Sequence, residues 1–129
     1  MDVLIKYGFT IEEIKIIMDS NYDFDMIKDK DINELISILD DIGCLNKHIK
    51  NIFITNPFVF NQSTKEIKKV IELFYKIGLD NLWFIFDSDP YLLNNKCNFH
   101  KRIYDRLKKE DKSLKEIANY FYYELKEVI

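Results

Sequence analysis

Apolar residues in this chain recur at i, i+3, i+4 and i+7, the interval of one face of an α-helix, as in Ile67, Val70, Ile71 and Phe74. Few segments sustain an alternation of period two, so the pattern predicts essentially no sheet. The pattern also repeats. The three glycines, Gly8, Gly43 and Gly78, stand 35 residues apart, and a period of about 20–50 residues marks stacked units. With Gly8 set over Gly43, Ile14 falls on Ile49, Ile17 on Ile52, Met18 on Phe53 and Ile32 on Ile67. Leu35 then falls on Val70, Ile36 on Ile71, Leu39 on Phe74 and Ile42 on Ile77. A third unit fits after a two-residue deletion in its first helix: Pro90 matches Pro57, and His100, Ile103, Tyr104 and Leu107 match Ile67, Val70, Ile71 and Phe74.

Each unit reads as helix, short knot, helix. Thr10 with Glu13 forms a capping box at a first helix, and Asp31 with Glu34 and Ser63 with Glu66 predict the same device at second helices. Pro57 ends the helix before it near Asn56, because a residue preceding proline avoids the α region. "PFVF" then turns the chain and plugs aromatics into the core. Each glycine lies just past a second helix, where positive φ is commonly needed. Beyond the repeats, Ser113 and Glu116 open a last helix whose inward stripe is Leu114, Ile117, Phe121, Leu125 and Val128. A stack needs such a cap over its final apolar face.

The expected fold is therefore all-α. It is one domain, 1–129, built as a stack of three two-helix repeats at about 4–42, 43–77 and 78–109. The stack is a short α-solenoid free of right-angle turns, with a C-terminal capping helix at about 113–128.

Composition adds bounds. With 47% apolar and 32% charged residues in 129, the chain is globular and large enough for a core without metal or disulfide staples. The longest apolar run, "LWFIF" at 82–86, is far short of the roughly 20 residues that span a bilayer. The two cysteines and the acid-dotted N-terminus point to the reducing cytoplasm and no membrane. The net charge of −3 hides an asymmetry. Residues 1–43 carry 4 basic and 11 acidic side chains, residues 44–95 carry 6 and 5, and residues 96–129 carry 9 and 6. Such a field bears on partners rather than on fold.

"GLDNLWFIFDSDPYLLNN", through Gly78, Leu79, Leu82, Ile85, Pro90, Leu92 and Leu93, resembles the repeat of the mitochondrial transcription termination factor (mTERF) family. "GCLNKHIKNIFITNPFVFNQS", through Pro57, Val59, Phe60 and Ser63, is similar to it too. The first unit departs, with Tyr22 in the place of proline and an acidic "NYDFDMI". The resemblance covers about residues 4 to 108. It implies a curved helical solenoid whose basic concave face holds nucleic acid, although members of that family have more repeats and a more basic face.

Few residues suggest chemistry. Cys44 and His48 with Cys97 and His100 have the ligand types of a zinc site, but Cys44 takes the place of Phe9 and Leu79, and His100 that of Ile32 and Ile67. Both read as core. "DFDMIKDKDINE" imitates a calcium loop from Asp23, yet Lys28 stands at its sixth position, where the turn needs glycine. It reads as a solvated acidic turn. No Gly-rich phosphate loop or nucleophile elbow occurs, so no enzyme, metal or cofactor is expected. Trp83 reads as core.

Two functions remain. The favoured one is a non-catalytic protein-binding module, an acidic inhibitor or adaptor that docks on a basic nucleic-acid-handling protein. It uses Asp19, Asp23, Asp25, Asp29, Asp31, Asp40 and Asp41, with Tyr122 and Tyr123 as exposed tyrosines at the other end. The alternative is a small nucleic-acid binder. It uses Lys96, Lys101, Arg102, Arg106, Lys108, Lys109 and Lys112, since Arg102, Arg106 and Lys109 lie on one helix face opposite His100, Ile103 and Leu107.

Overall fold

The structure, a computed structural model, describes residues 2–94 and 96–120. It contains α1 (Asp2–Tyr7), α2 (Ile11–Ser20), α3 (Asp29–Asp41), α4 (Asn46–Thr55), α5 (Thr64–Lys76), α6 (Leu82–Ser88), α7 (Cys97–Lys109) and α8 (Leu114–Asn119). Three 3-10 turns, Phe24–Met26, Pro57–Asn61 and Pro90–Asn94, join α2 to α3, α4 to α5 and α6 to α7. There is no strand among the described residues, and no helix among them is long and apolar enough to cross a membrane.

The helices stack in two layers. First helices α2, α4 and α6 pack in order, and second helices α1, α3, α5 and α7 pack in order beside them. The fold is the expected all-α repeat stack. Its core runs between the layers, where Phe53, Phe74 and Phe86 are fully buried. Aromatic rings carry the packing from unit to unit: Phe9 stacks on Phe53 at 5.9 Å, and Phe74 on Phe86 at 5.7 Å. Trp83 is half-buried rather than in the core, stacked on the His48 ring of the preceding unit at 4.8 Å.

Glycine closes α1, α3 and α5 with positive φ. At Gly43 (φ 98°) a side chain would also meet Trp83, whose Cδ1 lies 3.2 Å from where a Cβ would stand. In each case the next residue's N–H reaches back five residues, as from Cys44 to the Leu39 carbonyl at 3.1 Å and from Leu79 to Phe74 at 3.0 Å. This is the Schellman closure.

Asp111, with φ 59°, fills the same place after α7, and Lys112 donates to the Leu107 carbonyl at 3.1 Å. Aspartate is one of the few residues other than glycine that visits this conformation. The helix expected as a plain cap therefore begins in register with a fourth unit. Its Ser113–Glu116 box matches Thr10–Glu13, and its buried Ile117 matches Ile14 and Ile49. The rest of that expectation, with Phe121, Leu125 and Val128, lies outside the described residues.

Two details of capping differ from the sequence reading. α3 starts at Asp29, three residues before the expected start, and Lys28 gives it no side-chain cap. Asp29 and Asp31 sit in its first turn, where the helix dipole favours acids, so the Asp31–Glu34 box is not used. Ser63 does cap α5, accepting the Glu66 N–H at 3.4 Å, but the Glu66 carboxylate accepts the Cys97 N–H at 3.0 Å instead of closing the box. It thereby ties α5 to the start of α7. Without a proline at Tyr22, the first 3-10 turn shrinks to three residues against five in each of the others.

An amide ladder, unseen in the sequence, fixes the spacing of the units. Asn21, at the end of α2, is buried and donates to the Pro57 carbonyl (3.0 Å) and the Asn61 side chain (3.1 Å). One unit on, buried Asn56 donates to the Pro90 carbonyl (3.0 Å) and exchanges two bonds of 2.9 Å with Asn94. Buried amides left without partners would cost about 1–3 kcal/mol each, so these pairs hold each knot in register with the next.

Candidate nucleic-acid interface

The outer face of the second-helix layer grades from acidic to basic. α3 carries five acids and one lysine, α5 four lysines and two acids, and α7 five basic residues and one acid. The periodicity that buries Ile67, Val70 and Phe74 on α5 sends Lys65, Lys68, Lys69, Tyr75 and Lys76 to the surface. On α7 it buries His100, Tyr104 and Leu107 and exposes Lys101, Arg102, Arg106, Lys108 and Lys109. Lys96 and Lys112 flank this helix and are exposed too.

These charges are unequally engaged. Lys68 reaches Glu34 on α3 at 3.2 Å, Lys69 lies 3.9 Å from Glu66, and Lys112 lies 4.0 Å from Glu116. Such exposed pairs contribute little and break readily. Lys108 lies over the Tyr104 ring at 5.4 Å. Among the described residues Lys101, Arg102, Arg106 and Lys109 form no ion pair. The basic stripe expected on α7 is thus present and open to solvent, and it continues onto α5. The sequence reading missed Lys68, Lys69 and Lys76, although they stand one repeat behind Lys101, Arg102 and Lys109. The signal was the repeat register applied to charged positions as well as apolar ones.

The acids do not form one site. Asp19, Asp23, Asp25, Asp29 and Asp31 are exposed at the knot end of the first unit. Asp40 and Asp41 are exposed at the far end of α3, roughly 15 Å along its axis. Tyr122 and Tyr123 lie outside the described residues.

The candidate metal ligands are placed apart in function. Cys44 is buried, and burial, with Asp87 and Asp40 nearby, pushes its thiol up to about 12. His48 accepts the Leu45 N–H on Nδ1 at 2.9 Å. His100 is fully buried, donates from Nε2 to the Leu92 carbonyl at 3.2 Å, and is lowered to about 4 by burial. Burial also raises the Cys97 thiol, with the Glu66 carboxylate adding to it. No three acids, histidines or cysteines among the described residues gather as a metal would require.

Two-helix units stacked through a buried amide ladder, with a graded outer face, define a helical-repeat protein. The family model for mTERF matches residues 2–121, and the chain belongs to that family. No curated protein and no solved structure matches it.

Proposed function

We propose that this chain is a non-catalytic nucleic-acid-binding protein that meets phosphates with the α5–α7 face. The observation that carries the reading is the set of solvent-facing cations on α7, Lys101, Arg102, Arg106 and Lys109, continued by Lys68, Lys69 and Lys76 on α5. Membership of the mTERF family supports it. Sequence-independent affinity comes from cations set against phosphates, and each phosphate neutralised releases counterions and adds to the salt dependence. The acidic α3 repels the same backbone, so the strand is confined to the last two units.

The test is fluorescence anisotropy with labelled duplex DNA, single-stranded DNA and RNA at about 50 and 200 mM salt. Saturable binding that weakens at least about a hundredfold across that range is expected for the four open cations of α7 with partial help from α5. Absence of binding to all three probes at low salt would overturn the reading.

A second reading keeps the acids in view. Asp19, Asp23, Asp25, Asp29 and Asp31 are exposed at one end of the molecule, and that surface suits a basic protein partner. If changing Asp23, Asp25, Asp29 and Asp31 to Asn leaves capture of a basic nucleic-acid-handling protein unchanged, this reading fails.

A further inference from the structure

The joint between the first two units differs from the next one at the knots. The Pro57–Asn61 and Pro90–Asn94 turns pack directly on one another, and Tyr91 donates its hydroxyl back to the Thr55 carbonyl at 3.0 Å. At the first joint the Pro57–Asn61 turn packs mainly on α2 and α3. It meets the short Phe24–Met26 turn through Phe24 and Phe60, whose rings pair edge to face at 5.1 Å. Because the first turn has three residues against five, a cleft of about 530 Å³ stays open beside that pair.

Asp23, Met26, Ile27 and Asp31 line the cleft from the first unit, and Phe60 with the start of α5 lines it from the second. Its apolar lining is graded: Phe60 is buried, Ile27 half-buried and Met26 80% exposed. Methionine, unbranched and polarizable, adapts to guests of varied shape. Asp23 and Asp31 add two exposed carboxylates that form no ion pair among the described residues. Lys28, Lys30 and Lys65 are exposed but do not line the cleft. The N-terminus of α5 opens here with about half a positive charge. Ser63 already caps it, and two full negative charges outweigh it. The volume lies within the range of about 300–1,000 Å³ usual for binding clefts. The carboxylates repel phosphate, whether of nucleic acid or lipid, and favour a cation.

We propose that this cleft docks a segment of a protein partner in which a Lys or Arg stands beside an apolar side chain. The apolar group lies against Met26, Ile27 and Phe60, and the cation meets the carboxylates of Asp23 and Asp31. The proposal rests on the second reading above, in which the acidic end suits a basic protein, and gives that surface one defined pocket. It also divides the acids by role. Asp23 and Asp31 hold the cation, whereas Asp19 and Asp25, outside the cleft, attract only at a distance.

The test is selection of a displayed library of random dodecapeptides on the whole protein at about 150 mM salt, the physiological level of screening. Affinities of the enriched peptides are then read by fluorescence anisotropy. Those peptides should carry Lys or Arg next to Leu, Ile, Met or Phe. Asp23→Asn with Asp31→Asn should weaken their binding about tenfold, roughly threefold for each exposed ion pair. Met26→Ser should weaken it about threefold or more through lost apolar contact. Asp19→Asn with Asp25→Asn, the same change of charge outside the cleft, should weaken it less than about twofold. All these side chains are exposed, so circular dichroism should be unchanged. Equal weakening by the two aspartate pairs would overturn the cleft proposal and leave the acidic surface standing. No enrichment, enriched peptides without basic residues, or basic peptides indifferent to both pairs would overturn the two together.

Discussion

The first and third units of this protein share an interior and oppose each other outside. Inside, Ile32 and His100 hold one position, Leu39 and Leu107 another, and all four are buried. Outside, α3 displays Asp29, Asp31, Asp40 and Asp41, whereas α7 displays Lys101, Arg102, Arg106, Lys108 and Lys109. The difference separates two kinds of information. The buried period and the amide ladder specify that units stack. The exposed positions, free of that constraint, specify what each unit meets.

The comparison breaks most severely if the ladder is cut. Asn56→Ala leaves the Pro90 carbonyl and Asn94 without their partner in a buried joint. It should cost about 2–4 kcal/mol, read as a lowered urea midpoint. Removing an exposed charge such as Asp25→Asn should cost less than about 0.5 kcal/mol. Equal losses in the two variants would erase the distinction between inside and outside.

The interior pair Ile32 and His100 can be separated by pH. His100 in the folded chain lies near 4 because burial disfavours its charged form, against 6.5 for an ordinary imidazole. Between those values the unfolded chain binds the proton and the folded chain does not. The stability is full above about pH 6.5 and falls as pH drops, by about 2 kcal/mol between pH 7 and pH 5. His100→Ile, which installs the residue found at 32 and 67, should remove most of that loss. An unchanged pH dependence in urea titrations would show that other groups cause it.

Much of this fold was legible in the residues. Gly8, Gly43 and Gly78 marked the ends of second helices because their φ is positive and few other residues tolerate that. The fourth mark, Asp111, was hidden by its side chain, and with it the fact that α8 continues the repeat. Asn56 marked only the end of a helix and Asn21 drew no reading, since a buried amide and a solvated one look alike until the partner unit is in place. The basic stripe of α7 followed from helical spacing alone. Its continuation through Lys68, Lys69 and Lys76 needed α5 and α7 side by side. Whether the acids of the first unit share one face was not legible in the sequence, and the length of α3 separates Asp40 and Asp41 from the rest.

Smaller effects sharpen the same contrast. The boxes at Thr10 and Ser113 are built alike, with Thr10 donating its N–H to Glu13 at 2.8 Å and Ser113 to Glu116 at 3.1 Å. Thr10→Ala should cost about 1 kcal/mol, the usual value for a missing N-cap. The urea midpoint reads it directly, and a neutral result would show that α2 is held by packing alone.

The most direct measurement is the salt dependence of nucleic-acid affinity in two variants beside the wild type. Replacing Arg102 and Arg106 with Ala should lower the log–log slope by about two, roughly one for each phosphate that is no longer neutralised. Replacing Asp23 and Asp25 with Asn should leave the slope unchanged and binding equal or tighter. An unchanged slope in the arginine variant, or a loss of binding in the aspartate variant, would contradict the assignment of α5–α7 as the face that meets phosphate.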